Sequence, residues 1–163
     1  MSASEVTFRD RVGDDDKDTV RGILESTGFF YPEEIKTAVE LVEERLSKGD
    51  SSGYFFLFAE EAGKTIGYAC FGPIACTLAS YDLFWIAVRG DNRGKGVGKQ
   101  LLSKSEATIR RMGGRRIYVE TSAKDLYAPT RSFYLKAGYR QEAELEDFYG
   151  PGDSKVIYVK ALD

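Results

Sequence analysis

A run of glycines and cations, Arg93-Gly94-Lys95-Gly96-Val97-Gly98-Lys99, follows the apolar stretch Leu83-Phe84-Trp85-Ile86-Ala87-Val88. A helical periodicity comes next. Strand, glycine loop and helix N-terminus, in that order, make an anion site. Free backbone N–H groups and the helix dipole face the anion, and glycines let it approach closely. Two common phosphate loops do not fit. A P-loop needs four residues between its first Gly and Gly-Lys, and Ser or Thr after the Lys. Here Gly90 to Gly94 leaves three, and Gly96 follows Lys95. A dinucleotide fingerprint needs Gly at the position of Lys99 and an early βαβ unit. The residues before Leu83 read instead as antiparallel hairpins.

The chain contains no histidine. That excludes Ser-His-Asp and Cys-His catalysis and every His-containing zinc site. Acid–base chemistry must come from carboxylates, Tyr, Lys, Cys or water. Cys70 and Cys76 lack C-x-x-C spacing and read as buried small hydrophobes rather than reactive thiols. Tyr134, beside Phe133, reads on spacing alone as a core residue of an amphipathic helix.

The elements that must position these residues follow from periodicity. Val6 to Arg11 alternates as a strand. Gly13-Asp14-Asp15-Asp16 opens a helix with acids at its positive end, carrying Val20, Ile23 and Leu24. Gly28 to Pro32 interrupts it, and Pro32 opens a second helix with Ile35, Val39, Val42 and Leu46 on one face. Gly49 stops that helix. Tyr54 to Ala59 is an apolar run that reads as a strand buried on both faces. A turn at Glu61 to Lys64 leads to a return strand, Ile66 to Phe71, stopped by Gly72-Pro73. A third strand runs from Tyr81 to Val88.

Gly94 to Met112 then reads as one long helix with Val97, Leu101, Ile109 and Met112 on a shared stripe. Ile117 to Thr121 is a strand, Leu126 to Ala137 a helix, and Tyr139 to Phe148 and Lys155 to Lys160 are strands. The fold class is α/β: a mixed, mostly antiparallel sheet flanked by helices, in the order β-α-α-β-β-β-α-β-α-β-β.

Arg93-Gly94-Lys95-Gly96-Val97-Gly98 resembles the Arg/Gln-x-x-Gly-x-Gly/Ala motif of the GCN5-related N-acetyltransferase (GNAT) family. Phe133-Tyr134-Leu135-Lys136-Ala137-Gly138-Tyr139 resembles a second element of that family, and the order of elements matches from about Val6 onward. The resemblance implies a single N-acetyltransferase domain spanning residues 1–163, with its core at about 6–161. It implies acetyl-coenzyme A as co-substrate, with no metal. The pyrophosphate would sit on backbone N–H groups near Gly94, Gly96, Val97, Gly98 and Lys99, with charge from Arg93, Lys95 and Lys99. Backbone groups of Ile86, Ala87 and Val88 would meet the pantetheine arm as an added strand does. Donors in the Ile86 region would stabilise the tetrahedral intermediate.

Tyr134 aligns with the family's general acid. A thiol has a pKa near ~8.5 and a phenol near ~10, so a positioned Tyr can protonate or stabilise the departing sulfur. The family often places Asn seven residues earlier to contact the coenzyme; here Tyr127 stands there, so that contact is not expected. The acceptor ammonium must lose a proton. Glu120, on the opposite strand face from Val119, is the expected base acting through water. In this fold its strand splays from a neighbour beside the acetyl group. Asp82 competes for the role, and the amine can also arrive neutral.

The resemblance places the acceptor between two segments. One is the inter-helix loop with Phe29, Phe30 and Tyr31; the other is the hairpin Asp147 to Asp153 with Phe148. Aromatics and acids suit a small amine with an apolar body. Phe29 and Phe30 also read as a hydrophobic plug, and Asp147 and Asp153 as turn residues.

Bulk properties bound the partners. At 163 residues, 42% hydrophobic and 30% charged, the composition is that of a globular domain. The acidic pI of about 5.2 argues against nucleic acid as the main partner. The pairs Arg110-Arg111 and Arg115-Arg116 read as cations at a helix C-terminus. Met1 to Phe8 lacks a basic n-region, and no stretch approaches the roughly 20 apolar residues of a membrane span. The expectation is a cytoplasmic enzyme acting on a small-molecule amine, with no nucleic-acid or membrane partner. Homodimerisation is an expectation by analogy with the family. The alternatives are acetylation of a protein N-terminus or lysine, or a non-catalytic coenzyme-A-binding regulatory module.

Overall fold

A computed structural model describes residues 4–163. Met1–Ala3, part of the stretch read for a leader, lie outside them. The chain divides into two compact units: Met1–Gly72 with Trp85–Ala107, and Pro73–Phe84 with Thr108–Asp163.

In the first unit the apolar spacing of the sequence becomes two helices, α1 (Asp16–Thr27) and α2 (Pro32–Lys48), and three strands, β1 (Val6–Arg9), β2 (Phe55–Glu61) and β3 (Lys64–Pro73). The first part of α3 (Val97–Arg111) and the last residues of β4 (Ser80–Val88) also belong to it. β1, β2 and β3 pair antiparallel in that order. Val20, Ile23 and Leu24 of α1 and Val39 and Val42 of α2 bury against Phe56, Phe58, Tyr68 and Cys70. The acidic start of α1 is tied down. Asp16 is buried, and its carboxylate accepts two hydrogen bonds from the Arg9 guanidinium, at 2.7 and 2.9 Å. Pro32 opens α2 as the spacing predicts, and Tyr31 N–H donates to Glu34 Oε1 at 3.0 Å.

In the second unit β4 pairs β5 (Arg116–Ser122) in parallel, and β7 (Asp153–Ala161) pairs antiparallel with both β5 and β6 (Arg140–Gly150). Helix α4 (Ala128–Lys136) lies here, preceded by a short 3-10 turn at Asp125–Tyr127. Its Tyr134 packs against Tyr139 and Tyr158. The strand order across the chain is β1-β2-β3-β4-β5-β7-β6, mixed and mostly antiparallel with helices flanking it. Among the described residues no helix is long and apolar enough to cross a membrane.

Three expectations change. The long helix starts at Val97, not Gly94, because Gly94 and Gly96 adopt φ of +80° and +79°, outside any right-handed helix. Met112 falls just past the end of α3 and is 37% exposed, off the buried stripe of Val97, Leu101 and Ile109. Cys70 is buried as expected, but Cys76 is exposed in a loop with φ of +65°.

Candidate functional site

The glycine loop belongs to the first unit. Gly96 C=O accepts the first bond of α3, from Gln100 N–H at 3.1 Å. The N–H groups of Val97, Gly98 and Lys99 therefore have no partner within the helix. They point out of its positive end, where an anion is favoured. A Cβ built on Gly94 or Gly96 would meet nothing within 4 Å, so the space in front of both is open. Arg93 is held at the loop's entrance, with a guanidinium N–H donating to Thr27 C=O at 3.4 Å. Gly90 N–H donates to Ser26 Oγ at 3.0 Å, which moors the loop to the end of α1.

The strand before the loop also presents an ordered edge. Arg89 N–H donates to Ile66 C=O at 2.7 Å, and Ala87 C=O lies against Gly67 of β3. Backbone groups alternate along a strand. Those of Ile86 and Val88 thus point away from β3, and those of Ala87 point toward it. Of the three residues expected to meet a pantetheine arm, Ile86 and Val88 have the required direction. Phe30 packs edge-on against Trp85 at 5.4 Å between ring centroids and against the α1/α2 core. Tyr31 next to it is 71% exposed.

The second unit holds the titratable candidates. Arg131 of α4 donates to the carbonyls of Ser122 and Lys124, both at 2.8 Å, so the helix is pinned to the end of β5. The helix ends as Gly138 takes a φ of +93° and Tyr139 N–H donates to Tyr134 C=O at 3.0 Å. Tyr134 is 4% exposed, and burial pushes its phenol well above the usual tyrosine range. It therefore stays protonated and is a hydrogen-bond donor at any working pH.

β4 and β5 pair only over Ser80–Asp82 and Arg116–Tyr118. Asp82 and Tyr118 form the last rung. Asp82 is half-buried, and desolvation first, then the charge of Glu120, raises its carboxyl above the ordinary range, while Lys155 opposes them. Glu120 is half-exposed and ion-paired to Lys155 at 2.7 Å. Lys155 Nζ also lies 4.1 Å from the centroid of Phe148, itself largely exposed. Asp147 serves its turn, whereas Asp153, read as a turn residue, reaches the end of β5 and pairs there with Lys124 at 3.6 Å. Asp147 accepts from Gly152 N–H at 2.9 Å, and Asp153 accepts from Ser122 Oγ.

A cavity of about 370 Å³ opens on this unit beside Glu120. Ile74, Tyr118, Ala143 and Ile157 supply its apolar walls, and Thr77, Ser80 and Glu142 its other polar groups. Of the residues expected at the acceptor side or as its base, only Glu120 lines it. The signal that could have found Tyr118 is its two-residue spacing from Glu120 on one strand face.

The model of the acetyltransferase (GNAT) family matches residues 20–139. The chain belongs to the GNAT family of acetyltransferases. Its fold superposes with a TM-score of 0.96 on a crystal structure assigned to that family from Desulfovibrio desulfuricans, at 46% identity over 98% of this chain and 100% of that one. The aminoglycoside 6'-N-acetyltransferase from Enterococcus faecium shares the fold at TM-score 0.77 and 21% identity, over 98% and 97% of the two chains. So does the ribosomal-protein-S18-alanine N-acetyltransferase from Escherichia coli, at TM-score 0.77 and 19% identity, over 98% and 95%. Among curated protein sequences none matches.

Acetyl-coenzyme A fits a GNAT loop of this geometry: three unpartnered N–H groups at a helix start, open space over two left-handed glycines, and cations at its rim. The mooring of that loop is testable. A Cβ at Gly90 would stand 2.5 Å from Ser26 C=O, a backbone atom that cannot swing away. Gly90→Ala is expected to push the loop off α1 and weaken coenzyme A binding by about tenfold, or about 1.4 kcal/mol, in calorimetry.

Proposed function

We propose that the protein, acting as a single N-acetyltransferase domain in the cytoplasm, transfers an acetyl group from acetyl-coenzyme A directly to a primary amine of a small molecule. The observation that carries this reading is the helix start at Val97–Lys99, whose free N–H groups face open space at Gly94 and Gly96. An open groove of about 370 Å³ beside Glu120 leaves room for a small amine next to the carboxylate.

In this reading the neutral amine attacks the thioester carbonyl. The nitrogen loses its proton to a base, the C–S bond breaks, and the departing thiolate takes a proton from solvent. Tyr134 donates a hydrogen bond to that sulfur. The proton acceptor is a carboxylate acting directly or through water. Glu120 is engaged by Lys155, whereas among the described residues Asp82 has no ion pair, and burial and the Glu120 charge raise its affinity for a proton. Asp82 therefore carries this role, with Glu120 at its side.

The test is thiol release from acetyl-coenzyme A with a panel of small primary amines and basic peptides. Saturable release with small amines supports the proposal. Release with peptides alone would replace the acceptor class, and no release despite coenzyme A binding would point to a regulatory module.

A further inference from the structure

We propose that Lys155 is a positioning residue: its ammonium holds Glu120 as a fixed, paired carboxylate and thereby keeps the neighbouring Asp82 available as the proton acceptor. This inference rests on the reading of Asp82 as the base. Three observations lead to it.

The first is placement. Glu120 stands opposite Ile157 in the β5–β7 register, and Lys155 lies two residues before Ile157. The two are diagonal neighbours on one sheet face, the arrangement in which long side chains meet. Lys155 Nζ reaches Glu120 Oε2 at 2.7 Å.

The second is burial. Lys155 is only 8% exposed, which is unusual for a lysine, and the Phe148 ring covers its ammonium at 4.1 Å. Glu120 is half-exposed, so the pair adds little net stability against the cost of desolvating a lysine. Stability alone is a weak reason for a cation there.

The third is the charge around Asp82. Glu120 on β5 pushes its proton affinity up and Lys155 on β7 pulls it down, beyond the effect of burial. Tyr118 on β5 is its partner in the β4–β5 register, and Glu142 on β6, across the same cavity from Glu120, is paired to Arg140 at 3.1 Å. Glu120 and Lys155 are thus opposed charges acting on one carboxyl. Without Lys155, Asp82 would face an uncompensated anion and hold its proton to higher pH.

The experiment follows the Asp82 carboxyl by carbon-13 NMR titration and records the pH dependence of kcat/KM for Lys155→Met, Lys155→Arg and Glu120→Gln. Lys155→Met removes the cation, so the Asp82 titration and the acidic limb of the rate profile should move up by about one pH unit. Glu120→Gln removes the anion and should move both down. Lys155→Arg should restore both toward the parent. A residue that only supports the fold would shift neither, or would shift both variants the same way, and either result overturns the proposal. Should Lys155→Met fail to fold, Glu120→Gln and Lys155→Arg still decide it. If the Asp82 titration moves as expected but the rate profile does not, the electrostatic coupling of Lys155 to Asp82 stands, while the reading of Asp82 as the base fails and takes the catalytic part of the proposal with it.

Discussion

Replacing Tyr134 by Phe is expected to lower kcat by about 10²-fold or more while leaving coenzyme A affinity unchanged, the range associated with losing one donor to a developing negative charge. The fold should survive. Phe keeps the ring that packs 5.5 Å from Tyr139 and 6.3 Å from Tyr158, and it removes one buried hydroxyl. The size of the effect follows from where the proton sits. Burial raises the Tyr134 phenol, so full transfer to a thiolate whose conjugate acid lies near ~8.5 is uphill. In the proposed reaction Tyr134 then acts chiefly by donating a hydrogen bond to the sulfur as negative charge grows on it. This has a second consequence. An acetyl donor with a more acidic thiol needs less help, so the penalty of Tyr134→Phe should shrink with such a donor. Steady-state kinetics with two thioesters checks both points. Full turnover in the variant, or an equal penalty with both donors, would remove Tyr134 from the chemistry.

The parts of this molecule legible in the sequence are those that depend on neighbours along the chain. Val20, Ile23 and Leu24 lie at helical spacing and all are fully buried. Pro32 opens a helix because its missing N–H costs nothing at that position. The glycine loop was readable because a left-handed backbone calls for glycine, and Gly94 and Gly96 supply it. The same two glycines hide the helix boundary: periodicity from Val97 onward continues smoothly upstream, while the dihedral angles stop it. What was not legible depends on register between distant strands. Lys155 is 35 positions from Glu120 in sequence yet 2.7 Å away in space. A β5–β7 pairing shifted by one residue would place it on the opposite face. The choice between Glu120 and Asp82 turns on that ion pair, so sequence alone left it open. Phe30 likewise has a partner in Trp85, 55 positions on, a contact that spacing along the chain does not show.

The second large effect is expected at Gly96. Substitution to Val has two separable costs. The first is conformational: Gly96 has a φ of +79°, and a side chain in the left-handed region costs roughly 1–2 kcal/mol. The second arises only when something occupies the space ahead of the loop, since a Cβ there would meet no protein atom within 4 Å. A pyrophosphate seated on the Val97, Gly98 and Lys99 N–H groups would meet the valine methyls, and coenzyme A affinity should fall by about 10²-fold, near 2.8 kcal/mol. Gly63 supplies the control. It sits in the β2–β3 turn with a φ of +78° and equally open surroundings. Gly63→Val should lower the melting temperature about as much as Gly96→Val and leave coenzyme affinity intact. Calorimetric titration beside thermal melting separates the two costs. Equal affinity in the two variants would mean that the anion is bound elsewhere. A loss confined to Gly96→Val, at matched stability, would place the pyrophosphate at the start of α3.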